Sequence, residues 1–212
     1  SSLQRTRVLR DVTTSRVDLA WVELTSSGGD LLAYASTVDA DTGDPVYQPA
    51  RSAPTVFTDL VLQGVAKVAG AAGTSWSSSL VLTNTSKREA SVALDLLLRG
   101  QANPDPQRVS LSLAPGEARV VDDALHSLFG LSSGAASIAL RAAPGVLVNG
   151  RTFNQTSRGT FGQYIPAQDG ASMSVSPPFV SATDLHLVVG STTQLESAGQ
   201  AIAGVSDDID GA

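Results

Sequence analysis

Cysteine is absent from this sequence, which removes disulfide staples, thiolate metal sites and a cysteine nucleophile together. Aromatic residues make up only 5% of the chain and charged residues 16%, fewer charges than an average soluble domain carries. Basic residues are the scarcer sign, 14 Lys and Arg against 20 Asp and Glu, for a formal charge of -6. They form no cluster. Nucleic-acid affinity rests on neutralising phosphates, so the balance excludes a nucleic-acid binder. No apolar run approaches the ~20 residues that span a bilayer, and the chain is therefore read as not membrane-spanning. The opening SSLQRTRVLRDV lacks the apolar region of a signal peptide, so an exported form would carry its signal upstream of Ser1.

What is present is core material with a rhythm. The chain has 212 residues, 42% of them hydrophobic, enough for one large or two small domains. In ASVALDLLL, residues Val92, Leu94, Leu96 and Leu98 fall on one face of an extended strand. Val109, Leu111 and Leu113 do the same in RVSLSL, as do Ile138 and Leu140 in ASIAL. Period two means one buried and one wet face, and the turn-rich stretches NTSKRE, GQANPDPQ, APGE and AAPG separate the strands. The pattern predicts an all-β, antiparallel sandwich. One short helix is predicted in VDDALHSLFG, capped by Asp122 or Asp123, with Leu125, Leu128 and Phe129 as its stripe and Gly130 as its stop.

The sequence also repeats itself. GVLVNGRTFNQTSRGTFGQYIPA reads like GDLLAYASTVDADTGDPVYQPA, and GEARVVDDAL (Gly116 to Leu125) reads like QRTRVLRDV (Gln4 to Val12). Internal similarity of this kind outranks local propensity. It makes Thr55 to Ala167 one complete unit of roughly 110 residues, a usual sandwich size, while residues 1–50 match only its second half.

Those residues carry a resemblance. SWSSSLVLTNTS, LAPGEARVVDDALHSLFGL and GRTFNQTSRGTFGQYIPA resemble a tandem, immunoglobulin-like β-sandwich repeat of large secreted bacterial proteins. Residues 5–50 resemble the latter half of the same repeat, most clearly in LLAYASTVDADTGDPVYQPA. The resemblance implies an extracytoplasmic (secreted, cell-surface or periplasmic), non-catalytic structural or adhesive module, with no catalytic residues to carry over. The expected organisation is the second half of a first sandwich over 1–52, a complete sandwich over 53–169, and a C-terminal tail over 170–212. Half a sandwich leaves strand edges unpaired. Either the tail completes it, through ASMSVSP or DLHLVVGS, or another polypeptide does. The expected partner is thus a protein, or this chain itself, joined at strand edges of residues 1–50 and the tail. Leu195, Ala198, Ile202, Val205 and Ile209 also trace a helical stripe, read either as a docking helix or as an element lying on the chain's own surface.

Chemistry finds few footholds. The two histidines, His126 and His186, have no metal-ligand spacing between them, and no Gly-x-Ser-x-Gly elbow presents a serine, so no enzyme is expected. VDADTGDP gathers Asp39, Asp41 and Asp44 around Gly43, the start of a calcium-loop pattern, but its twelfth position is Ala50 rather than Glu. The competing reading is a plain turn whose Asp side chains bond nearby backbone. Asp207, Asp208 and Asp210 are read as a solvated terminus. Asn84 and Asn154 sit in N-x-Ser/Thr triplets and are read as turn residues; Trp21 and Trp76 are read as core packing rather than a sugar platform. No other cofactor is implied. The runner-up function is a carbohydrate- or calcium-binding accessory module of a secreted enzyme.

Overall fold

The alternating segments fold as strands. In a computed structural model, which describes residues 19–28, 31–70 and 73–169, the elements are β1 (Tyr34–Val38), β2 (Pro45–Pro49), β3 (Thr58–Ala69), β4 (Ser75–Asn84), β5 (Ala90–Leu98), β6 (Arg108–Leu113), β7 (Ala118–Val121), α1 (Ala124–Phe129), β8 (Gly134–Ala142), β9 (Val146–Thr156), β10 (Gly159–Pro166) and β11 (Gln168–Asp169). The fold is all-β, and every strand pairing among the described residues is antiparallel. The chain divides into two compact units, Ser1–Gly170 and Ala171–Ala212, and every described residue belongs to the first. The tail stripe, the candidate tail strands, His186, Asp207, Asp208 and Asp210 lie outside the described residues. No helix among the described residues is long and apolar enough to cross a membrane.

Strands β3 to β11 form a continuous hydrogen-bonded path, β10-β9-β4-β3-β8-β5-β6, with β7 added on β4 and β11 on β3. The turn of that path is made inside β3. Thr58 to Lys67 pair with β8, whereas Val68 and Ala69 pair with β4. A register shift between Leu62 and Val65, with Gly64 at φ 76°, bends the strand where it changes partners. Two buried hydroxyls serve the bent backbone. Ser78 Oγ accepts from the Ala66 N–H at 2.8 Å, and Thr152 Oγ1 donates to the Gly64 carbonyl at 2.9 Å. The hydroxyls are 2.6 Å apart, and because the Thr152 proton is committed to Gly64, Ser78 donates to Thr152. A one-way relay thus runs from one β3 amide to one β3 carbonyl through β4 and β9.

One apolar core lies between the two arms of this path. Val92, Leu94 and Leu96 of β5, Ile138 and Leu140 of β8, and Leu80 and Leu82 of β4 are buried in it, on the faces that the alternation predicts. Leu98, Val109 and Leu111 pack against it from partly buried positions. Each such burial contributes on the order of 1.5–3 kcal/mol. Asn84 ends β4 at 0% exposure. Its Nδ2 donates to the carbonyls of Arg88 (2.7 Å), Leu113 (3.1 Å) and Ala114 (3.0 Å), and its Oδ1 accepts from Ser86 N–H at 3.0 Å. One side chain therefore ties the β4–β5 loop to the β6–β7 turn. The turn reading of Asn84 understated it.

The helix forms where the stripe places it, but neither aspartate caps it as expected. Asp123 occupies the N-cap in the left-handed region at φ 48° and makes no capping bond. Its carboxylate pairs with Lys67 of β3 instead. Gly130 stops the helix at φ 69°, its N–H donating to the His126 carbonyl.

Both matching sequence stretches form antiparallel hairpins. Pro49 stands opposite Tyr34 in β1–β2, and Pro166 opposite Asn149 in β9–β10. Their surroundings differ. β9 is covered along its other edge by β4, from Trp76↔Asn154 to Asn84↔Val146. Among the described residues β1 pairs with β2 alone.

Candidate functional site

The turn between β1 and β2 carries the three acidic residues singled out from the sequence, and it does so beside the outer edge of β10. Asp39 opens the turn. Its Oδ1 accepts from the N–H groups of Asp41 (3.1 Å) and Thr42 (3.0 Å), and the Gly43 N–H closes on its carbonyl at 2.8 Å. These are the local bonds of an Asx turn. Its second oxygen reaches 121 residues along the chain, where Thr160 donates both its N–H (3.0 Å) and its hydroxyl (2.7 Å). Asp44 Oδ2 accepts from the Gly162 N–H at 2.8 Å, and Thr42 Oγ1 donates to the Thr160 carbonyl at 2.8 Å. Three outward backbone groups of an edge strand are thereby satisfied by side chains in place of a further strand.

Arg151 of β9 supports this clasp from behind. Its Nη2 donates to Thr160 Oγ1 at 2.9 Å and lies 3.5 Å from Asp44 Oδ2, while its guanidinium sits 5.2 Å from the centre of the Phe153 ring. Gly159, at φ 130°, makes room for the turn: a Cβ there would stand 2.6 Å from Asp39 Oδ1. The carboxylates are therefore engaged as hydrogen-bond acceptors. Asp41 is exposed and contributes its backbone N–H, and among the described residues no three His, Cys, Asp or Glu side chains are gathered where they could share an ion. The turn reading accounts for the local half of this arrangement.

The clasp has a pH dependence with a definite sign. The hydroxyl of Thr160, then its N–H and that of Thr42, hold the Asp39 carboxyl well below the usual carboxylate range. A carboxylate depressed in the folded state stabilises it above its unfolded pKa of about 3.9, and that contribution disappears as the pH falls below this value. The Thr160 amide resonance reports the folded state, so it should hold constant from pH 7 to well below the usual carboxylate range and move only in strong acid. Asp39→Asn should abolish that step and expose the Thr160 amide to exchange at neutral pH. An unchanged titration in the variant would show that the carboxylate does not hold the edge.

The second feature of this region is apolar and bare. Ten of the twelve exposed large apolar side chains among the described residues lie between Trp21 and Phe57. Leu32 is 98% exposed, and Tyr34 and Tyr47 stand on one face of the hairpin with ring centres 5.1 Å apart. The packing reading of Trp21 is corrected here, because its side chain is exposed, whereas Trp76 is partly buried in β4. His126 lies exposed on α1, away from this region of the sequence. Asn84 and Asn154, the two candidate glycosylation positions, are both buried, and Asn154 Oδ1 accepts from the Ser75 N–H at 2.9 Å.

Comparison with known proteins adds little to this geometry. No protein-family model matches the chain. No curated protein matches it. A solved structure titled "Crystal Structure of Thermotoga maritima 1070" superposes with a TM-score of 0.42 at 12% identity, over 52% of this chain and 91% of that one.

Proposed function

We propose that this chain is a non-catalytic structural or adhesive module of the bacterial exterior that acts through protein–protein contact. The observation that carries the reading is the gathering of exposed apolar side chains between Trp21 and Phe57 around a two-stranded hairpin. Exposed large apolar side chains concentrated in one stretch of chain point to an interaction site, and a hairpin on its own is marginal in water. The extracytoplasmic setting follows the resemblance to secreted tandem repeats. Cross-linking mass spectrometry of the full chain, alone and with bacterial surface proteins, should place intermolecular links within residues 21–57. Links spread evenly over β3 to β10, or none at all, would sink the reading.

One observation favours a second reading, a carbohydrate-binding accessory module. The neighbouring Tyr34 and Tyr47 rings supply exposed aromatic faces for a sugar, although they are tilted 35° to each other. A glycan array probed with the full chain should then show binding that Tyr47→Ala removes; an array without binding excludes it.

A further inference from the structure

Among the described residues, the two ends of the long strand path and the β2 side of the hairpin are defended, and the outer edge of β1 is not. At one end of the long path, the β10 edge is clasped by Asp39, Thr42 and Asp44. At the other, β6 begins with Arg108, held to Asp95 by two bonds of 2.6 and 2.7 Å, and Arg119 Nη2 covers the Ser112 carbonyl at 2.9 Å. On β2, prolines 45 and 49 stand opposite Val38 and Tyr34. The Asp39 N–H bonds the Asp44 carbonyl at 3.0 Å and the Ala50 N–H bonds the Ala33 carbonyl at 2.8 Å. The bonded pairs of the hairpin therefore include Ala35–Gln48 and Thr37–Val46, and both prolines fall at positions whose N–H would point outward. Growth of the hairpin on the β2 side is blocked.

The same alternation turns the N–H and C=O groups of Tyr34, Ser36 and Val38 to the outer edge of β1. That edge carries no charge, no proline and no bulge, and all five of its residues are exposed. Natural edges are shielded by such devices. Their absence here marks a place where a strand is meant to add.

We infer that β1 pairs antiparallel with β1 of a second copy of this chain, across a two-fold axis at Ser36. This rests on the contact reading above and gives it a partner. Strand YASTV is uncharged, so self-pairing sets no like charges against each other. A two-fold interface presents the same patch from both sides, and each copy supplies the same open edge. Centring on Ser36 engages all three outward-facing residues. Tyr34 meets Val38 of the second copy, Ser36 meets Ser36, and Val38 meets Tyr34, two backbone bonds to each pair. The outer pairs are aromatic against β-branched, a favourable cross-strand combination. Two hairpins then become one four-stranded sheet, which passes the three-strand threshold for a stable sheet.

Analytical ultracentrifugation of the full chain tests this. The wild type should sediment at twice the monomer mass at high concentration and dissociate on dilution. Ser36→Pro removes an outward N–H that the hairpin does not use, and should be monomeric at a concentration at least tenfold above the wild-type midpoint. Ser36→Lys and Ser36→Glu each set like charges opposite each other and should be monomeric alone. Mixed in equal amounts, they should dimerise again. A wild type that stays monomeric overturns the inference, as does a dimer indifferent to Ser36→Pro or a mixture that fails to re-form it. A monomer that still cross-links to another protein through residues 21–57 removes the second copy and leaves the contact reading standing. Loss of those links as well removes both.

Discussion

Asn84→Asp should lower the stability of this fold by about 3–5 kcal/mol, the largest effect expected of any polar substitution in it. The two residues have nearly the same shape, so packing is unchanged and the chemistry alone is altered. Asn84 Nδ2 faces three carbonyl oxygens, those of Arg88, Leu113 and Ala114, at a fully buried position. A carboxylate there turns an acceptor, and a charge, towards three acceptors with no water to intervene. For a unit of this size the loss corresponds to a fall in Tm on the order of 10 °C. Asn84→Ala should cost less, about 2–3 kcal/mol, because it leaves carbonyls unsatisfied without adding a charge. Thermal unfolding followed by circular dichroism decides the matter. A variant melting within a degree of wild type would mean that the β4–β5 loop and the β6–β7 turn are not tied through this residue.

Thr152→Val should cost about 2–3 kcal/mol despite preserving side-chain shape. The substitution removes the donor to the Gly64 carbonyl and the acceptor of the Ser78 hydroxyl at once. Ser78→Ala should cost a similar amount, since it orphans the Ala66 N–H and the Thr152 oxygen. Both lesions break one relay, so the double variant should lose less than the sum of the two, with a coupling on the order of 1 kcal/mol. Urea unfolding of the four members of the cycle measures this. Strict additivity would show that the hydroxyls act separately and that the relay is not a unit.

The relay also shows where sequence reading stops. The run SWSSSL alternates correctly for a strand, and the structure places Ser78 on the same face as Leu80 and Leu82, among core side chains. A serine on an apolar face is legible as an anomaly. Its reason lies in β3, where the backbone bends at Gly64 and offers an amide and a carbonyl to the opposing strands. No local pattern announces that a strand will change partners halfway along. The clasp divides in the same way. The Asx-turn bonds of Asp39 follow from VDADTG itself, because they join residues two and three apart. The bonds to Thr160 and Gly162 join residues more than a hundred positions apart, so the spacing of the acids offered only a calcium loop or a plain turn and gave no sign of an edge strand. Asp123 was legible as a helix-start residue, but Lys67 competes for its carboxylate and takes it away from the cap.

By itself the sequence determined the strand faces and the helix stop. Each of these depends on period, turn chemistry or the left-handed freedom of Gly130, which neighbouring residues settle among themselves. Only the tertiary structure decided which edges are closed and which is open. Every strand carries the same backbone donors and acceptors, whatever its side chains. Whether those groups are met by another strand, by Asp39 and Asp44, or by nothing in the described fold is fixed by what the chain brings alongside them.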